Sequence, residues 1–317
     1  MIDITLLGTA ALMPLPDRAL TAAALTCCGR TILFDCGEGT QTAARRAGVS
    51  LMKADLIALT HYHGDHILGL PGLIQTMSCL GRTEPLAITG PQGLHEAMTP
   101  LIALAGPTAF PVRLIALPPE GLAMDALHAH WPGDARLSAF ATEHRVPSQG
   151  YAFTLARPGR FMPERARALG VPVKLWGLLQ RGQTVEFGGV TVAPDMVLGA
   201  ARRGLKFVFT GDTAYCPSLV EAARGADLMI CEATYALDEQ AARAEAFGHM
   251  NFRRAAQAAA QAEVGEAWLA HYSQMIEDPE AYFENVRKVF PRARCGRDGM
   301  RKTLRFAEDD QQLTINS

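Results

Sequence analysis

Residues 60–66 read THYHGDH and follow the apolar run ADLIAL at 54–59. The apolar run predicts a buried β-strand, and the polar residues begin where that strand ends. In extended backbone, alternate side chains point the same way, so His61 and His63 should project together. Gly64 then permits a sharp turn toward the last two residues of the motif. The stretch therefore predicts two adjacent groups of polar side chains at the end of one strand.

The residue types of this motif are those that bind divalent metal ions. Neutral imidazole and carboxylate are ligands that zinc favours. His61 and His63 would hold one cation, and Asp65 and His66 a second. Without a metal, burying these groups together would leave several polar atoms unpaired, at a cost of about 1–3 kcal/mol each. A metal site is therefore favoured over a histidine-rich polar loop.

Three later residues share one placement, because each follows a predicted strand. His144 closes LSAFATEH, Asp212 closes LKFVFTGD and His271 closes EAWLAH. A single histidine of this kind is more often structural, but strand ends hold side chains with the rigidity that a metal site requires. Their common placement indicates that they complete the ligand set.

The composition is that of an ordinary globular protein. The chain has 317 residues, of which 49% are hydrophobic. Ten short apolar segments predict strands and eight segments predict helices, mixed along the whole chain. This mixture fits either two sheets with helices outside or one doubly wound sheet. No linker, repeat or low-complexity segment interrupts it, so we expect a single α/β domain over 1–317.

The termini and cysteines favour a cytoplasmic protein without a membrane partner. The N-terminus lacks the basic region of a signal peptide, and prolines and an arginine interrupt the most apolar later stretch, 98–117. The seven cysteines form an odd set without C-x-x-C spacing, which indicates reduced thiols rather than disulfides.

The charge is unevenly distributed along the chain. The net charge of −2 by itself argues against a nucleic-acid partner. However, residues 157–186 hold six basic and two acidic residues, and residues 287–305 hold eight basic and one acidic residue. The Pro-, Gly- and Arg-rich segment 157–182 is interpreted as a basic arm or loop outside the core. These two basic segments could form a phosphate-facing surface or ordinary solvated faces, and the charge pattern does not distinguish the two interpretations.

The ligand pattern resembles that of the metallo-β-lactamase superfamily. An H-x-H-x-D-H loop, a later histidine, a GDT turn and a histidine after a strand occur in that order. Finer stretches resemble one branch, ribonuclease Z, the tRNA 3′-processing endonuclease. They include LLGTAALMP, LFDCGEGTQ at 33–41, HGDHILGLPGLIQTM, EHRVPSQGYAF, CEATY and GHM at 248–250. The resemblance implies a four-layer αββα sandwich with the metals at the edge of its two sheets.

The resemblance also implies roles for individual residues. Two Zn²⁺ ions per chain, with Mn²⁺ as the alternative, would be held by His61, His63 and His144 and by Asp65, His66 and His271, with Asp212 bridging. Asp65 would also accept the proton of the attacking water, and His249 would assist the leaving group. Asp35 and Glu232 would orient metal ligands or His249 through hydrogen bonds. Three residues of the arm would contact substrate: Arg157, Arg160 and Lys174.

Three features depart from the pattern of this branch. The long Gly/Pro-rich arm that grips the tRNA elbow is represented only by a compact basic segment. Met250-Asn251 stands where Ser-Thr is frequent, and no arginine follows His271 closely. None of these departures affects the predicted metal ligands.

The sequence thus predicts a zinc-dependent endoribonuclease that removes the 3′ trailer of precursor tRNA by two-metal phosphodiester hydrolysis. The family resemblance implies a homodimer. The first alternative is a hydrolase of small phosphodiesters, and a second is hydrolysis of another ester, a thioester or a lactam on the same site. A degenerate sandwich used only for protein interaction would lack ligands, whereas all seven are present.

Overall fold

The computed structural model describes residues 1–307, which form sixteen strands and eleven α-helices. The strands are β1 (Ile2–Gly8), β2 (Ala22–Cys27), β3 (Arg30–Phe34), β4 (Ala54–Ala58), β5 (Leu86–Thr89), β6 (Val112–Leu114), β7 (Leu122–Ala123), β8 (Ala135–Ala141), β9 (Gln149–Arg157), β10 (Val185–Phe187), β11 (Val190–Val192), β12 (Arg202–Phe209), β13 (Leu228–Glu232), β14 (Ala267–Ala270), β15 (Ala293–Cys295) and β16 (Arg301–Leu304).

The helices alternate with these strands along the chain. They are α1 (Thr40–Arg46), α2 (Gly64–Ile67), α3 (Leu70–Cys79), α4 (Leu94–Leu104), α5 (Pro163–Ala168), α6 (Val173–Gln180), α7 (Pro194–Val197), α8 (Pro217–Ala223), α9 (Ala241–Ala246), α10 (Phe252–Gln261) and α11 (Phe283–Val289). Short 3₁₀ turns lie at Leu51–Lys53, Met124–Ala126, Asp238–Gln240 and Pro279–Tyr282.

The strands build two mixed sheets of seven strands each and a small hairpin. The first sheet has the order β16-β1-β2-β3-β4-β5-β6, and the second has the order β15-β14-β13-β12-β9-β8-β7. Strands β3 to β6 are parallel neighbours in the first sheet, and β12 to β15 are parallel neighbours in the second. Strands β10 and β11 form the antiparallel hairpin.

The two large sheets pack face to face, with helices on the outer faces. Phe34 of β3 contacts Tyr151 of β9 and both Phe207 and Phe209 of β12, at ring centroid distances of 5.5–5.9 Å. Every residue of β3 is buried because each of its faces is covered, one by the other sheet and one by helices. This is the four-layer αββα sandwich that the sequence resemblance predicted.

Two apolar layers join the helices to the sheets. Leu33 of the first sheet packs with residues of α1, α3 and α4, including Leu73 and Met98. On the other side, Leu269 and its neighbours pack with α8, α10 and α11. Helix α10 presents four buried alanines to this layer, so helix and sheet approach closely.

The described chain divides into two compact units. The first comprises Met1–Thr154 and Lys206–Leu304, and it contains both large sheets. The second comprises Leu155–Leu205 together with residues 305–307 of the described chain. Helices α5, α6 and α7 and the β10–β11 hairpin give this second unit an apolar core of its own, which includes Val171, Leu179 and Val192. The excursion expected at 157–182 falls inside this unit, and the interpretation of the whole chain as one domain with an arm stays a prediction.

Six strands were missed by the sequence interpretation: β2, β6, β7, β10, β15 and β16. Most have two to four residues, and β6 and β16 alternate only weakly between buried and exposed positions. Strand β2 (AAALTC) is buried on both faces, so its sequence lacks the alternation that identifies a strand. Pairing with neighbouring strands, rather than local pattern, forms these elements.

Two expectations from composition can be compared with the structure. All seven cysteines are free thiols, and Cys27 and Cys28 are closest, with sulfurs 3.8 Å apart. Across residues 1–307, every helix is too short or too polar to span a membrane.

A buried ion pair ties the β2–β3 turn to strand β4. The guanidinium of Arg30 binds Asp55 through two hydrogen bonds, and the indole of Trp131 donates a third at 2.7 Å. Arg30 and Asp55 are 2% and 4% exposed. Burial of both charges is tolerated only because each is paired and hydrogen-bonded.

We expect Asp55→Ala to lower the free energy of unfolding by about 3–5 kcal/mol, because it leaves the Arg30 guanidinium buried without its main partner. Urea denaturation followed by circular dichroism measures this loss. The matched control is Glu221→Gln, which breaks the exposed Glu221–Arg224 pair and should cost less than about 1 kcal/mol. Equal losses in the two variants would contradict a stabilising role for the buried pair.

Candidate metal centre

The predicted ligands meet where parallel strands of both sheets end. His61 follows β4 in the first sheet, whereas Asp212 follows β12 and His271 follows β14 in the second. Carboxyl ends of parallel strands share one edge of a sheet, and ligand sites of α/β proteins lie outside that edge. Both sheets therefore contribute side chains to one cluster, and all of its residues belong to the first unit.

Three imidazoles form the first group of this cluster. His63 Nδ1 lies 2.9 Å from His61 Nε2 and 3.3 Å from His144 Nε2. Their ligand atoms all lie within 4.8 Å of one another, close enough to hold one ion. His63 is the last residue before α2, so the short helix begins directly beside this group.

Asp65, His66 and His271 form the second group, and their ligand atoms also lie within 4.8 Å of one another. The first two residues stand in the first turn of α2, and the His66 ring lies 4.1 Å from the ring of His61, so the two groups adjoin. Asp212 lies between the groups, with Oδ2 3.7 Å from His61 Nε2 and Oδ1 3.2 Å from His271 Nε2. The structure thus brings all seven predicted ligands together, and the assignment of particular ligands to particular ions stays a prediction.

Several buried atoms in this cluster have no hydrogen-bond partner within residues 1–307. They are His66 Nε2, His271 Nε2 and Asp212 Oδ1. Leaving such atoms unsatisfied is costly in a protein interior, whereas a bound cation would satisfy all of them at once. The donor set therefore fits a divalent metal.

Hydrogen bonds from Nδ1 fix the tautomers of two predicted ligand histidines. His144 Nδ1 donates to the carbonyl of Gly248 at 2.9 Å, and His66 Nδ1 donates to Asp35 at 2.8 Å. A proton on Nδ1 leaves the lone pair of Nε2 pointing into the cluster. This is the arrangement in which an outer hydrogen bond orients a metal-binding imidazole.

Burial and neighbouring charges set the protonation of the cluster. Burial lowers the pKa of His61 to about 2, and burial also lowers the pKa of His63 and of His144, so these three imidazoles are neutral. Burial would lower the pKa of His66 as well, but the charges of nearby carboxylates, Asp212 first, raise it well above its usual value. Burial would raise the pKa of Asp212, but the charges of nearby histidines hold it well below its usual range. A cation that binds here therefore finds three neutral imidazoles and an ionised carboxylate, and it displaces the proton of His66.

Asp35 supports two predicted ligands, His66 directly and His61 through Thr60. Its carboxylate accepts hydrogen bonds from the backbone N–H of Thr60 at 2.7 Å and from the Thr60 hydroxyl at 2.9 Å, in addition to the bond from His66. Because the hydroxyl donates to Asp35, its oxygen can accept from His61 Nδ1, 3.1 Å away. Asp35 is fully buried and has a positive φ of 58°, a strained conformation retained at this site.

The DCGEGTQ segment packs its backbone directly beneath α2. A Cβ at Gly37 would lie 1.9 Å from the carbonyl oxygen of Asp65, and a Cβ at Gly69 would lie 2.1 Å from the Gly37 carbonyl. The backbone of Cys36 closes this contact by donating to the His66 carbonyl at 2.7 Å. Glycine is required at both positions because any side chain would push the loop away from the helix.

A second supporting network involves Glu232 and Thr234 at the end of β13. Glu232 accepts from His249 Nδ1 at 3.0 Å and from the Thr234 hydroxyl at 3.0 Å. The hydroxyl oxygen can then accept from His271 Nδ1, also at 3.0 Å. His271, like Asp35, has a positive φ, here 60°. One carboxylate therefore positions both His249 and a predicted metal ligand.

The sequence interpretation missed Thr60 and Thr234, which link the supporting carboxylates to the ligands. Nothing in their local sequence distinguishes them, because both contacts depend on neighbouring strands. The predicted substrate residues Arg157, Arg160 and Lys174 belong to the second unit rather than to the unit that holds the cluster. Arg160 and Lys174 are exposed, and Arg157 is half-buried and donates to the Ala307 carbonyl.

A cavity of about 770 Å³ opens onto the cluster. Its polar floor includes His63, Asp65, Asp212, His249 and His271. Its walls are largely apolar and include Leu12, Met13, Leu68, Tyr235 and Phe247.

The comparisons with known proteins agree with this architecture. Residues 30–272 match the model of the Beta-lactamase superfamily domain. Ribonuclease Z of Agathobacter rectalis is 44% identical to the chain, over 98% of this chain and 100% of the relative. Ribonuclease Z of Lachnoclostridium phytofermentans is 41% identical, again over 98% of this chain and 100% of the relative. The chain belongs to the ribonuclease Z family.

A solved structure supports the same membership. Human tRNase Z, short form, covers 96% of this chain and is itself covered completely, with a TM-score of 0.66 and 26% identity. As a member of the ribonuclease Z family, the protein is a metal-binding hydrolase with endoribonuclease activity. The resemblance identified from HGDH and DCGEGTQ is therefore confirmed over nearly the full length of the chain.

We expect Asp35→Asn to weaken metal binding by about 10–100-fold, because the amide has only one acceptor oxygen for the three donors that face the carboxylate. Titration against a competing chelator measures the affinity. The control is Asp55→Asn, which also removes a buried carboxylate beside a strand but does not touch a predicted ligand. Unchanged metal affinity in a folded Asp35→Asn variant would contradict the supporting role of Asp35.

Proposed function

We propose that this protein is a zinc-dependent endoribonuclease that cleaves the 3′ trailer from precursor tRNA. The observation that carries the proposal is the full-length identity of 41–44% to ribonuclease Z relatives, combined with a complete cluster of candidate ligands. The partner is then a precursor tRNA, and the reaction is hydrolysis of one phosphodiester.

In this proposal two Zn²⁺ ions occupy the cluster, held by the ligand sets predicted from the sequence. Bound zinc would supply Lewis-acid stabilisation of charge on the phosphodiester and a nucleophile at neutral pH. The fixed tautomers and the ionised Asp212 allow the chain to offer this site without rearrangement.

Asp65 is proposed as the acceptor of the proton from the attacking water. Its Oδ2 accepts a hydrogen bond from the backbone N–H of Leu12 at 2.8 Å, which holds the carboxylate at the floor of the cavity. Burial would raise the pKa of Asp65, but the imidazoles of His271 and His66, whose Nε2 atoms lie 3.7 and 3.5 Å from Oδ2, hold it below its usual range. The carboxylate is therefore ionised at neutral pH, which is the form that can accept a proton.

His249 is proposed as the residue that protonates the leaving oxygen. Burial lowers its pKa, but the charge of Glu232 outweighs this effect and raises the pKa to about 9. A raised pKa keeps the imidazole protonated at neutral pH. Because Nδ1 donates to Glu232, Nε2 is the nitrogen that can donate to a substrate oxygen in the cavity.

Arg157, Arg160 and Lys174 are proposed to contact the tRNA away from the cleaved bond. All three stand on the second unit, where helices α5 and α6 supply three of the six basic residues of the predicted arm. A homodimer and a cytoplasmic location are proposed from the sequence and the family resemblance.

Cleavage of a 3′-extended tRNA transcript tests the function. We expect one discrete cut near the discriminator base, no cut with His63→Ala, and a fall in kcat of about 10²–10⁴-fold with His249→Ala, as for loss of a general acid. The matched control is His95→Ala, which removes an exposed histidine on α4 and should leave cleavage unchanged.

Hydrolysis of bis(p-nitrophenyl) phosphate should also be measured for the same protein variants. Hydrolysis of this small diester by a protein that leaves the tRNA intact would overturn the tRNA assignment and support a small-phosphodiester hydrolase. If His249→Ala cleaves tRNA at the wild-type rate, His249 is not the proton donor.

Metal content tests the dinuclear proposal separately. Protein purified without chelator should contain about two zinc atoms per chain by mass spectrometry, and His271→Ala should lose about one of them. His95→Ala should retain the full amount. Less than about one metal per chain in the unsubstituted protein would contradict the dinuclear site, and manganese in place of zinc would correct its identity.

A further inference from the structure

Phe247 is an exposed aromatic residue at the wall of the metal-centre cavity. It is 42% exposed and lies outside the two apolar layers that join helices to sheets. Three other exposed apolar residues, Leu12, Met13 and Leu68, line the same cavity, and a group of exposed apolar side chains at one place is a feature of binding surfaces. Packing of the fold therefore does not account for its position.

Two arginines flank this ring. The guanidinium carbon of Arg145 lies 5.3 Å from the Phe247 ring centroid, and that of Arg243 lies 5.9 Å from it. Both arginines are exposed, and within residues 1–307 neither forms an ion pair with a carboxylate. Two positive charges are thus held beside one aromatic ring, and neither is paired with an acidic side chain.

The position of Phe247 is fixed relative to the metal centre. The carbonyl of Gly248, the next residue, accepts the hydrogen bond from His144 Nδ1. Gly248 has a φ of 73°, and a Cβ there would lie 2.8 Å from the His144 ring, so the turn packs directly against this imidazole. His249 follows at once, with its ring 5.0 Å from that of His144. One short segment therefore carries both the proposed proton donor and the exposed aromatic ring.

We propose that Phe247, Arg145 and Arg243 form a nucleotide platform for the single-stranded residue next to the cleaved phosphodiester. A base stacks on the exposed part of the Phe247 ring, and its backbone phosphate is bound by the two guanidinium groups. Aromatic faces combined with basic side chains recognise single-stranded nucleic acid irrespective of sequence. The identification of the strand as RNA rests on the proposed function; the stacking and the charge do not.

The first experiment measures binding without cleavage. Fluorescence anisotropy of a labelled hexauridylate is recorded on the full-length metal-loaded protein at low temperature, and a gel verifies that the RNA stays intact. An abasic strand with the same number of phosphates is the second ligand. Phe247→Ala should weaken binding of hexauridylate by about 5–150-fold, the range for loss of one stacked base, and should not affect the abasic strand.

Four further variants separate stacking from folding and charge. Phe247→Tyr keeps an aromatic face and should retain binding. Tyr282→Ala removes another exposed aromatic residue, one that does not line this cavity, and should leave both affinities unchanged. Arg145→Gln and Arg243→Gln should each reduce the slope of log affinity against log salt concentration by about 0.7, as expected for one lost phosphate contact on a single strand.

Cleavage of 3′-extended tRNA then tests the platform in the reaction. An abasic residue beside the cut should lower kcat/KM of the unsubstituted protein about as much as Phe247→Ala lowers it on the normal substrate. Phe247→Ala acting on the abasic substrate should show no larger loss of kcat/KM than either change alone. The proposed platform is overturned if Phe247→Ala weakens binding of hexauridylate and of the abasic strand equally, or weakens binding of neither. It is also overturned if the unsubstituted protein does not bind hexauridylate more tightly than the abasic strand. If the binding pattern holds but tRNA is not cleaved, the platform stands and the proposed tRNA function falls.

Discussion

The metal centre depends on one electrostatic constraint, which is that Asp212 stays ionised while fully enclosed by imidazoles. A buried carboxylate is unfavourable by itself, and here the surrounding histidines stabilise its charge. In return, the carboxylate lies between both ligand groups, so it fixes how closely they approach. The sandwich satisfies this constraint by ending parallel strands of both sheets at one place.

The supporting residues follow from the same constraint. Four of the predicted ligand histidines, all except His63, point Nε2 into the cluster, and each then requires a partner for Nδ1. Asp35 with Thr60, Glu232 with Thr234, and the Gly248 carbonyl provide these partners. Two residues of the site, Asp35 and His271, have backbone conformations that are normally unfavourable. The strain is tolerated because buried strands on both sides hold the chain in place.

The segment between α9 and α10 carries both the proposed proton donor and the proposed nucleotide-binding residue. His249 is anchored by Glu232 from below, and Phe247 faces the cavity between Arg145 and Arg243. Gly248 joins them and contacts His144 so closely that no side chain fits. A change at this glycine would therefore disturb the predicted metal ligands, the proposed proton donor and the proposed nucleotide platform together.

The sequence by itself predicted the seven candidate ligands and, through its resemblance to ribonuclease Z, the family and the four-layer fold. It did so because strand ends, glycines and the H-x-H-x-D-H spacing are local features that survive in a linear pattern. Only the tertiary structure decided the partners of those ligands, the pairing of β2 and β16, and the extent of the second unit from Leu155 to Leu205. Thr60, Thr234 and the Arg145–Phe247 contact join residues from different elements, so no local pattern marks them. Their roles arise from packing, which brings distant side chains within hydrogen-bonding or stacking distance.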